Sequence, residues 1–259
     1  MTKLSFDGEP IFVTGASSGI GRATASLLAA RGARVFLVAR RQPELEEAVS
    51  EIRAAGGTAA CFAADIADRG ALNAAIDVAR AAFGPIYGLF ANAGATGGFA
   101  SALDYRDEDF DAVVRTNLTS PFWACKSLLP DMIAQRRGAI VFTGSLGSAR
   151  GMANNAAYVA SKHGLLGLSR AIAIEGASHN VRCNCVLPGF IETPAMSKID
   201  SKTRAGLSQL VPQRRMGGAE EVAEVAAFLL SEAASHVTAQ TLSVDGGVLG
   251  TLEVRLPEA

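Results

Sequence analysis

Short apolar runs alternate along the chain with longer segments whose apolar residues recur every three or four positions. The runs at 11–14, 34–39, 59–64, 86–91, 139–144, 181–187 and 241–244 are apolar on both faces. That is the pattern of parallel strands covered by helices on either side. Between them the spacing predicts helices near 19–31, 43–55, 69–83, 107–136, 157–177 and 219–231. In the last, Val222, Val225, Ala226 and Leu229 share one face at offsets of three and four. Repeated β-α-β units with right-handed crossovers predict an α/β architecture, a doubly wound, seven-stranded, mostly parallel sheet with helices on both faces. No linker, repeat or low-complexity tract interrupts it, so residues 1–259 are expected to form a single domain.

Composition narrows the function classes. The 259 residues are 49% apolar and carry 24 basic and 25 acidic side chains, a formal charge of -1. Such a chain is not intrinsically disordered, and its charge balance predicts no nucleic-acid partner. Glu44, Glu46, Glu47 and Glu51 read as a solvated helix face, and Asp107–Asp111 as acids at a helix start. Lys3, Asp7 and Glu9 interrupt the beginning, where a secretory signal needs an apolar core. Residues 84–103 lack charge, but Pro85, Asn92 and five glycines exclude a membrane-spanning helix there. Cys61, Cys125, Cys183 and Cys185 do not make a disulfide framework in a chain this long. The histidines add no metal-ligand spacing, so the thiols are expected to be buried and no metal is expected. A soluble chain in a reducing, cytoplasmic setting follows as the expectation.

Chemistry enters just after the first strand, at Thr14-Gly15-Ala16-Ser17-Ser18-Gly19-Ile20-Gly21. Glycine serves there for a sharp turn, for close approach of backbone to a pyrophosphate, and for close helix–strand packing. Amide donors at the helix N-terminus then face the phosphate charge. A plain tight turn is the alternative, and the strand before and helix after weigh against it. Further on, Tyr158 and Lys162 are four apart and share a helix face. Ser145 lies upstream on a Gly-rich loop after a strand.

With these residues the chain resembles the short-chain dehydrogenase/reductase family in its compact, one-domain, Rossmann-type form. The matching pieces run in order: T-G-x-x-x-G-I-G, Asp65-Ile66, Asn92-Ala93-Gly94, Asn117, Ser145, Tyr158 with Lys162, Pro188-Gly189 leading to Thr193, and Asp245-Gly246-Gly247. The resemblance implies that Gly15, Ser17, Ser18, Gly19, Ile20 and Gly21 bind the cofactor phosphates. It implies that Asp65 holds the adenine amine, Ile66 lines the adenine pocket, and Asn92, Ala93 and Gly94 hold the ribose side. Pro188, Gly189, Ile191 and Thr193 would bind the carboxamide, and Asn117 would hold a water that relays protons from Lys162. It also implies a homotetramer, joined through the helices at 107–136 and 157–177 and by the last strand and helix.

The end of the second strand bears on which dinucleotide is bound. An acid about 20 positions past the glycine turn favours NAD(H), because it accepts bonds from the ribose 2′-hydroxyl and repels a 2′-phosphate. This chain has Ala39, then Arg40 and Arg41. The repulsive carboxylate is gone, and Arg40 offers a planar donor fork. NADP(H) is therefore the predicted cofactor, with NAD(H) as the alternative and two solvated arginines as the structural one. Ser18 stands where some NADP-using relatives carry a second basic residue.

The residue types also suit ketone reduction, which needs a hydride at carbon and a proton at oxygen. A free phenol, with pKa about 10, is a poor base at neutral pH. A neighbouring ammonium and the nicotinium charge are expected to lower it. Tyr158 is then general acid in reduction and general base in oxidation, Ser145 orients the substrate oxygen, and Lys162 also holds the ribose hydroxyls. His163 points away round the helix.

Residues 190–216 are expected to fold over the substrate as a lid. Phe190, Met196, Ile199 and Leu207 are its apolar contributors, with Phe99, Leu146 and Gly147 on the opposite wall; each could equally be ordinary packing. Such lining favours a small hydrophobic carbonyl or alcohol. The outline is also similar to 3-oxoacyl-acyl-carrier-protein reductases, whose carrier docks on two arginines. Arg136 and Arg137 stand near one of those positions, but Ile174 occupies the other. The tail at 248–259 is expected to cross a subunit interface. Two other functions compete: an NAD-dependent catabolic secondary-alcohol dehydrogenase, and a non-catalytic NADP-binding regulator.

Overall fold

The computed structural model describes residues 4–194, 196 and 199–251. Its strands are β1 (Pro10–Thr14), β2 (Arg34–Ala39), β3 (Thr58–Ala63), β4 (Gly88–Ala91), β5 (Gly138–Thr143), β6 (Val181–Pro188), β7 (Ile191–Glu192), β8 (Gly217–Gly218) and β9 (Thr241–Val244). The helices are α1 (Gly19–Ala30), α2 (Gln42–Ala54), α3 (Arg69–Phe83), α4 (Asp107–Val114), α5 (Ser120–Gln135), α6 (Ala156–Ala177), α7 (Ser201–Leu210) and α8 (Ala219–Leu230). Seven strands form one sheet in the order β3-β2-β1-β4-β5-β6-β9. Every pairing in it is parallel, where the pattern predicts a mostly parallel sheet. Strand order reverses between β1 and β4, which opens a crevice beyond their carboxyl ends.

Alternation along the strands makes two cores. Ile11, Val13, Val35, Leu37 and Val141 pack on one face with Leu28, Val222 and Leu229. Phe12, Phe36, Leu89, Ile140 and Phe142 pack on the other with Leu72, Ile76, Leu128 and Leu165. The Phe12 and Phe36 rings stack at 5.8 Å. Each fully buried side chain of this size stabilises the fold by about 1.5–3 kcal/mol. Cys183 and Cys185 lie in the second core with Cys125. Asn184 points the other way, donating to Val237 O at 2.9 Å and accepting from Gln240 N at 3.0 Å. Burial pushes the Cys125, Cys183 and Cys185 thiols up, the last two to about 12 and about 11.

The helix expected near 107–136 is present over Asp107–Gln135, with a π turn at Arg115–Thr119 between α4 and α5. Pro121 brings no N–H to the ladder, and the hydrogen bonding slips to Ser120 N→Arg115 O. The Ser120 hydroxyl supplies a donor to Thr116 O at 2.8 Å. The acidic start of α4 sits on its first turn, as expected from the helix dipole. Of the acidic face on α2, Glu47 and Glu51 reach Arg22 of α1 at 3.0 and 2.7 Å.

The stretch expected as a lid has elements of its own that periodicity does not reveal. β7 and β8 pair in parallel at its base, and α7 stands between them, capped by Asp200 Oδ1 on Thr203 N at 2.9 Å. Residues 195, 197 and 198, and the tail expected at an interface beyond residue 251, lie outside the described residues. Among the described residues, no helix is long and apolar enough to cross a membrane.

Candidate active site

β1 delivers the chain into the glycine turn at the switch point. Gly15 adopts φ +67°, and a Cβ there would lie 2.8 Å from Ala93 Cα. Gly19, at φ +55°, faces Thr193, and a Cβ on Gly21 would collide with the Gly15 carbonyl. Gly21 therefore packs behind the turn, while Gly15, Ser17, Ser18, Gly19 and Ile20 line a cleft of about 630 Å³. Asn92 clamps the turn, donating to Thr14 O at 3.3 Å and Gly15 O at 3.4 Å, and Thr14 Oγ1 accepts from Asn92 N and Ala93 N. The N-terminus of α1 has neither a side-chain cap nor an acidic residue in its first turn.

Ala39, Arg40, Arg41, Asp65 and Ile66 line the far end of this cleft. The sequence points to Arg40 as the carrier of the donor fork. The structure draws Arg41 onto the turn as well, with Nη2 donating to Ser17 Oγ and Ser18 Oγ, both at 3.1 Å, and Nη1 held by Glu44 at 2.8 Å. A guanidinium from the N-cap of α2 thus stands against Ser18. Asp65 is exposed, with Oδ1 accepting from Ala67 N at 2.9 Å, and Ile66 is buried in the second core.

Ser145, Tyr158 and Lys162 meet in an adjoining hollow of about 330 Å³, with Pro188, Gly189, Ile191 and Thr193 on its rim. Ser145 follows β5 and caps a short turn at Leu146–Ser148. Asn155 caps α6, accepting from the Tyr158 backbone, and donates to Thr96 O at 3.1 Å. Lys162 is buried, donates to Thr143 O at 2.6 Å, and holds Nζ 5.8 Å from the Tyr158 ring centre. Burial lowers its ammonium to about 8, with the Cys185 thiol opposing. His163, on the outer side of the helix, bonds Val159 O at 2.9 Å.

Burial pushes the Tyr158 phenol above its ordinary value, and the hydrogen bond from Ser145 partly opposes that. Desolvation acts on phenol and amine alike, disfavouring the charged form of each. The Asn117 side chain is anchored on both sides. Its amide hydrogens go to Ala95 O at 2.9 Å and Ser161 Oγ at 3.0 Å, and Oδ1 accepts from Ala95 N at 2.8 Å. It ties the loop after β4 to α6, and Gly94 sits between Asn117 Oδ1 and Lys162 Nζ. At the substrate end, Thr96, Phe190, Ile191 and Met196 form the wall, whereas Phe99 is 68% exposed. Gly147 lies behind the Tyr158 ring, where a Cβ would come within 3.2 Å.

A family model described as Enoyl-(Acyl carrier protein) reductase matches residues 15–249. The chain belongs to the short-chain dehydrogenase/reductase family. It is 38% identical over 245 residues to the 3-oxoacyl-(acyl-carrier-protein) reductase FabG of Escherichia coli (strain K12), covering 95% of this chain and 99% of that protein. It is 39% identical to the cyclohexanol dehydrogenase of Acinetobacter sp. (strain SE19), covering 93% and 95%. The crystal structure of levodione reductase superposes with TM-score 0.90 at 36% identity, covering 93% and 98%. That of a single-residue variant of the actinorhodin polyketide ketoreductase with NADPH does so with TM-score 0.88 at 35% identity, covering 93% and 97%. As a short-chain dehydrogenase/reductase, the protein is an oxidoreductase of alcohol and carbonyl groups.

For this short-chain dehydrogenase/reductase, sequence reading missed the contacts that connect distant segments. Arg41 meets Ser17 across 24 positions, and Asn117 meets Ser161 across 44. Periodicity carries no signal for such pairs. A local signal did exist at Ser145-x-x-Ser148, whose spacing is that of a capping turn.

Proposed function

We propose that the protein reduces a ketone to a secondary alcohol with NADPH, and that Tyr158 supplies the proton. One observation carries this reading. The cleft of the glycine turn and the hollow of Tyr158 share Ile20, Asn92, Gly94, Ala95 and Thr193, so a single ligand can run from one into the other.

The residues present fit a dinucleotide. The backbone at Gly15 and Gly19 lies open where a side chain would obstruct it, and the α1 N-terminus offers amide donors that no carboxylate occupies. Arg40 and Arg41 with Ser17 and Ser18 would hold the 2′-phosphate, Asp65 and Ile66 the adenine, and Asn92, Ala93 and Gly94 the ribose. Pro188, Gly189, Ile191 and Thr193 would hold the carboxamide. The cofactor, when bound, supplies a hydride to the carbonyl carbon. Ser145 donates a hydrogen bond to the carbonyl oxygen, and Tyr158 gives that oxygen its proton. Lys162 would hold ribose hydroxyls, and its cationic form stabilises the phenolate left on Tyr158.

The apolar wall of Phe190, Ile191 and Met196 suits a hydrophobic carbonyl compound. Acyl-carrier docking finds less support: Arg136 donates to Ser178 O at 3.1 Å, Arg137 pairs with Glu9, and Ile174 is exposed. Phe122 and Ile133 on α5 and Ile174 on α6 leave apolar side chains on one pair of outer faces, which supports a homotetramer built on these helices. NADPH oxidation followed with a panel of cyclic and linear ketones tests the reading. Turnover of a neutral ketone with NADPH in preference to NADH supports it. Tight NADPH binding with no turnover on any member, or tighter binding of NADH, overturns it.

A further inference from the structure

Ser145 is a candidate hydrogen-bond donor to the substrate oxygen, yet a serine hydroxyl can donate or accept, and rotation about its C–O bond switches between the two. The structure constrains that choice through the turn at Leu146–Ser148. Ser145 sits at its N-cap in extended backbone, and its Oγ accepts the Gly147 N–H at 3.1 Å. The Ser145 N–H is in turn accepted by Ser148 Oγ at 3.1 Å, and Ser148 N donates to Ser145 O at 2.9 Å. Ser148 is 1% exposed, and a Cβ on neighbouring Gly144 would approach its hydroxyl to 2.9 Å, so the clamp is packed from behind.

We propose that Ser148 is a positioning residue for Ser145. It fixes the turn so that Gly147 N–H docks on Ser145 Oγ and leaves the Ser145 hydrogen to donate outward. Backbone donates in and hydroxyl donates out, which is the polarity an oxygen gaining negative charge requires. Without Ser148 the Ser145 N–H loses its acceptor, the turn loosens, and the hydroxyl samples orientations in which it accepts.

This inference rests on the reading of Ser145 given above, and a double-mutant cycle separates the two. Wild type, Ser145→Ala, Ser148→Ala and the double variant are compared in steady-state reduction of cyclohexanone by NADPH, with NADPH affinity and thermal midpoint measured for each. Ser148→Ala is expected to lower kcat about tenfold, the scale of one misdirected hydrogen bond, with the KM for NADPH unchanged. In the Ser145→Ala background the same change should lower kcat less than about twofold, because its effect passes through the missing hydroxyl. Equal losses in both backgrounds, or a loss confined to KM, overturn the role of Ser148 while leaving that of Ser145 intact. Full activity of Ser145→Ala overturns the reading of Ser145 itself and the inference with it. Should Ser148→Ala not fold, Ser148→Cys carries the cycle; its thiol is similar in size and a weaker acceptor, and a smaller loss that again vanishes without the Ser145 hydroxyl is the supporting result.

Discussion

Arg41 reaches back from the N-cap of α2 across the glycine turn and donates from Nη2 to the Ser18 hydroxyl at 3.1 Å. Arg41 lines the same cleft as Arg40. A charge-assisted contact from such a fork to a phosphate contributes about 1.5–3 kcal/mol. Arg41→Ala is therefore expected to weaken NADPH about tenfold to a hundredfold and to leave NADH nearly unchanged. Titration followed by nicotinamide fluorescence measures both, and equal weakening of the two would refute a 2′-phosphate contact. Ala39→Asp should act in the same direction, by placing a carboxylate against the phosphate.

Tyr158→Phe removes the proton donor and leaves the ring that packs on Gly147. Turnover should fall by about 10²–10⁴-fold, the usual contribution of a positioned acid, with NADPH affinity kept within a few-fold. Stopped-flow single-turnover reduction alongside the fluorescence titration gives the two numbers. Retained turnover would remove Tyr158 from its role.

Lys162 makes the native state pH-dependent in a definite direction. Its ammonium is lowered from 10.5 to about 8 by burial, so the native protein releases a proton that the unfolded chain still holds between those values. Stability then rises with pH across that window, and below it the charged amine disfavours the fold by about 3 kcal/mol. Lys162→Met is expected to raise the melting temperature of the cofactor-free protein at pH 7 and to abolish activity, the gain shrinking to nothing above pH 10.5. Calorimetry at several pH values is the check; a variant less stable at pH 7 would contradict it.

Gly21→Ala adds a methyl group that meets the Gly15 carbonyl. The better helix propensity of alanine favours the change by up to about 1 kcal/mol, but the collision acts on backbone that Asn92 already pins. Overpacking of this kind costs about 1–3 kcal/mol. A lower melting temperature and weaker NADPH binding are expected together, and a variant unaltered in both would show that the turn has room to yield.

Much of this molecule was readable from contiguous stretches of chain. Buried parallel strands announce themselves as apolar runs, and β2 and β9 begin and end where the pattern places them. The glycine turn, Ser145 and the Tyr158–Lys162 pair were visible for the same reason, because each owes its character to neighbours within a few residues. Folding was needed wherever partners come from separate segments. Next to Pro121 a π turn interrupts the α-helical ladder where periodicity shows a plain helix, since the cost of a proline depends on which carbonyls lose a donor. Arg41 came to Ser18, and Asn117 to Ala95 and Ser161, through crossovers that leave no periodic trace. The protonation of Tyr158 and Lys162 likewise followed from desolvation, a property of everything packed around a group rather than of the group's place in the chain.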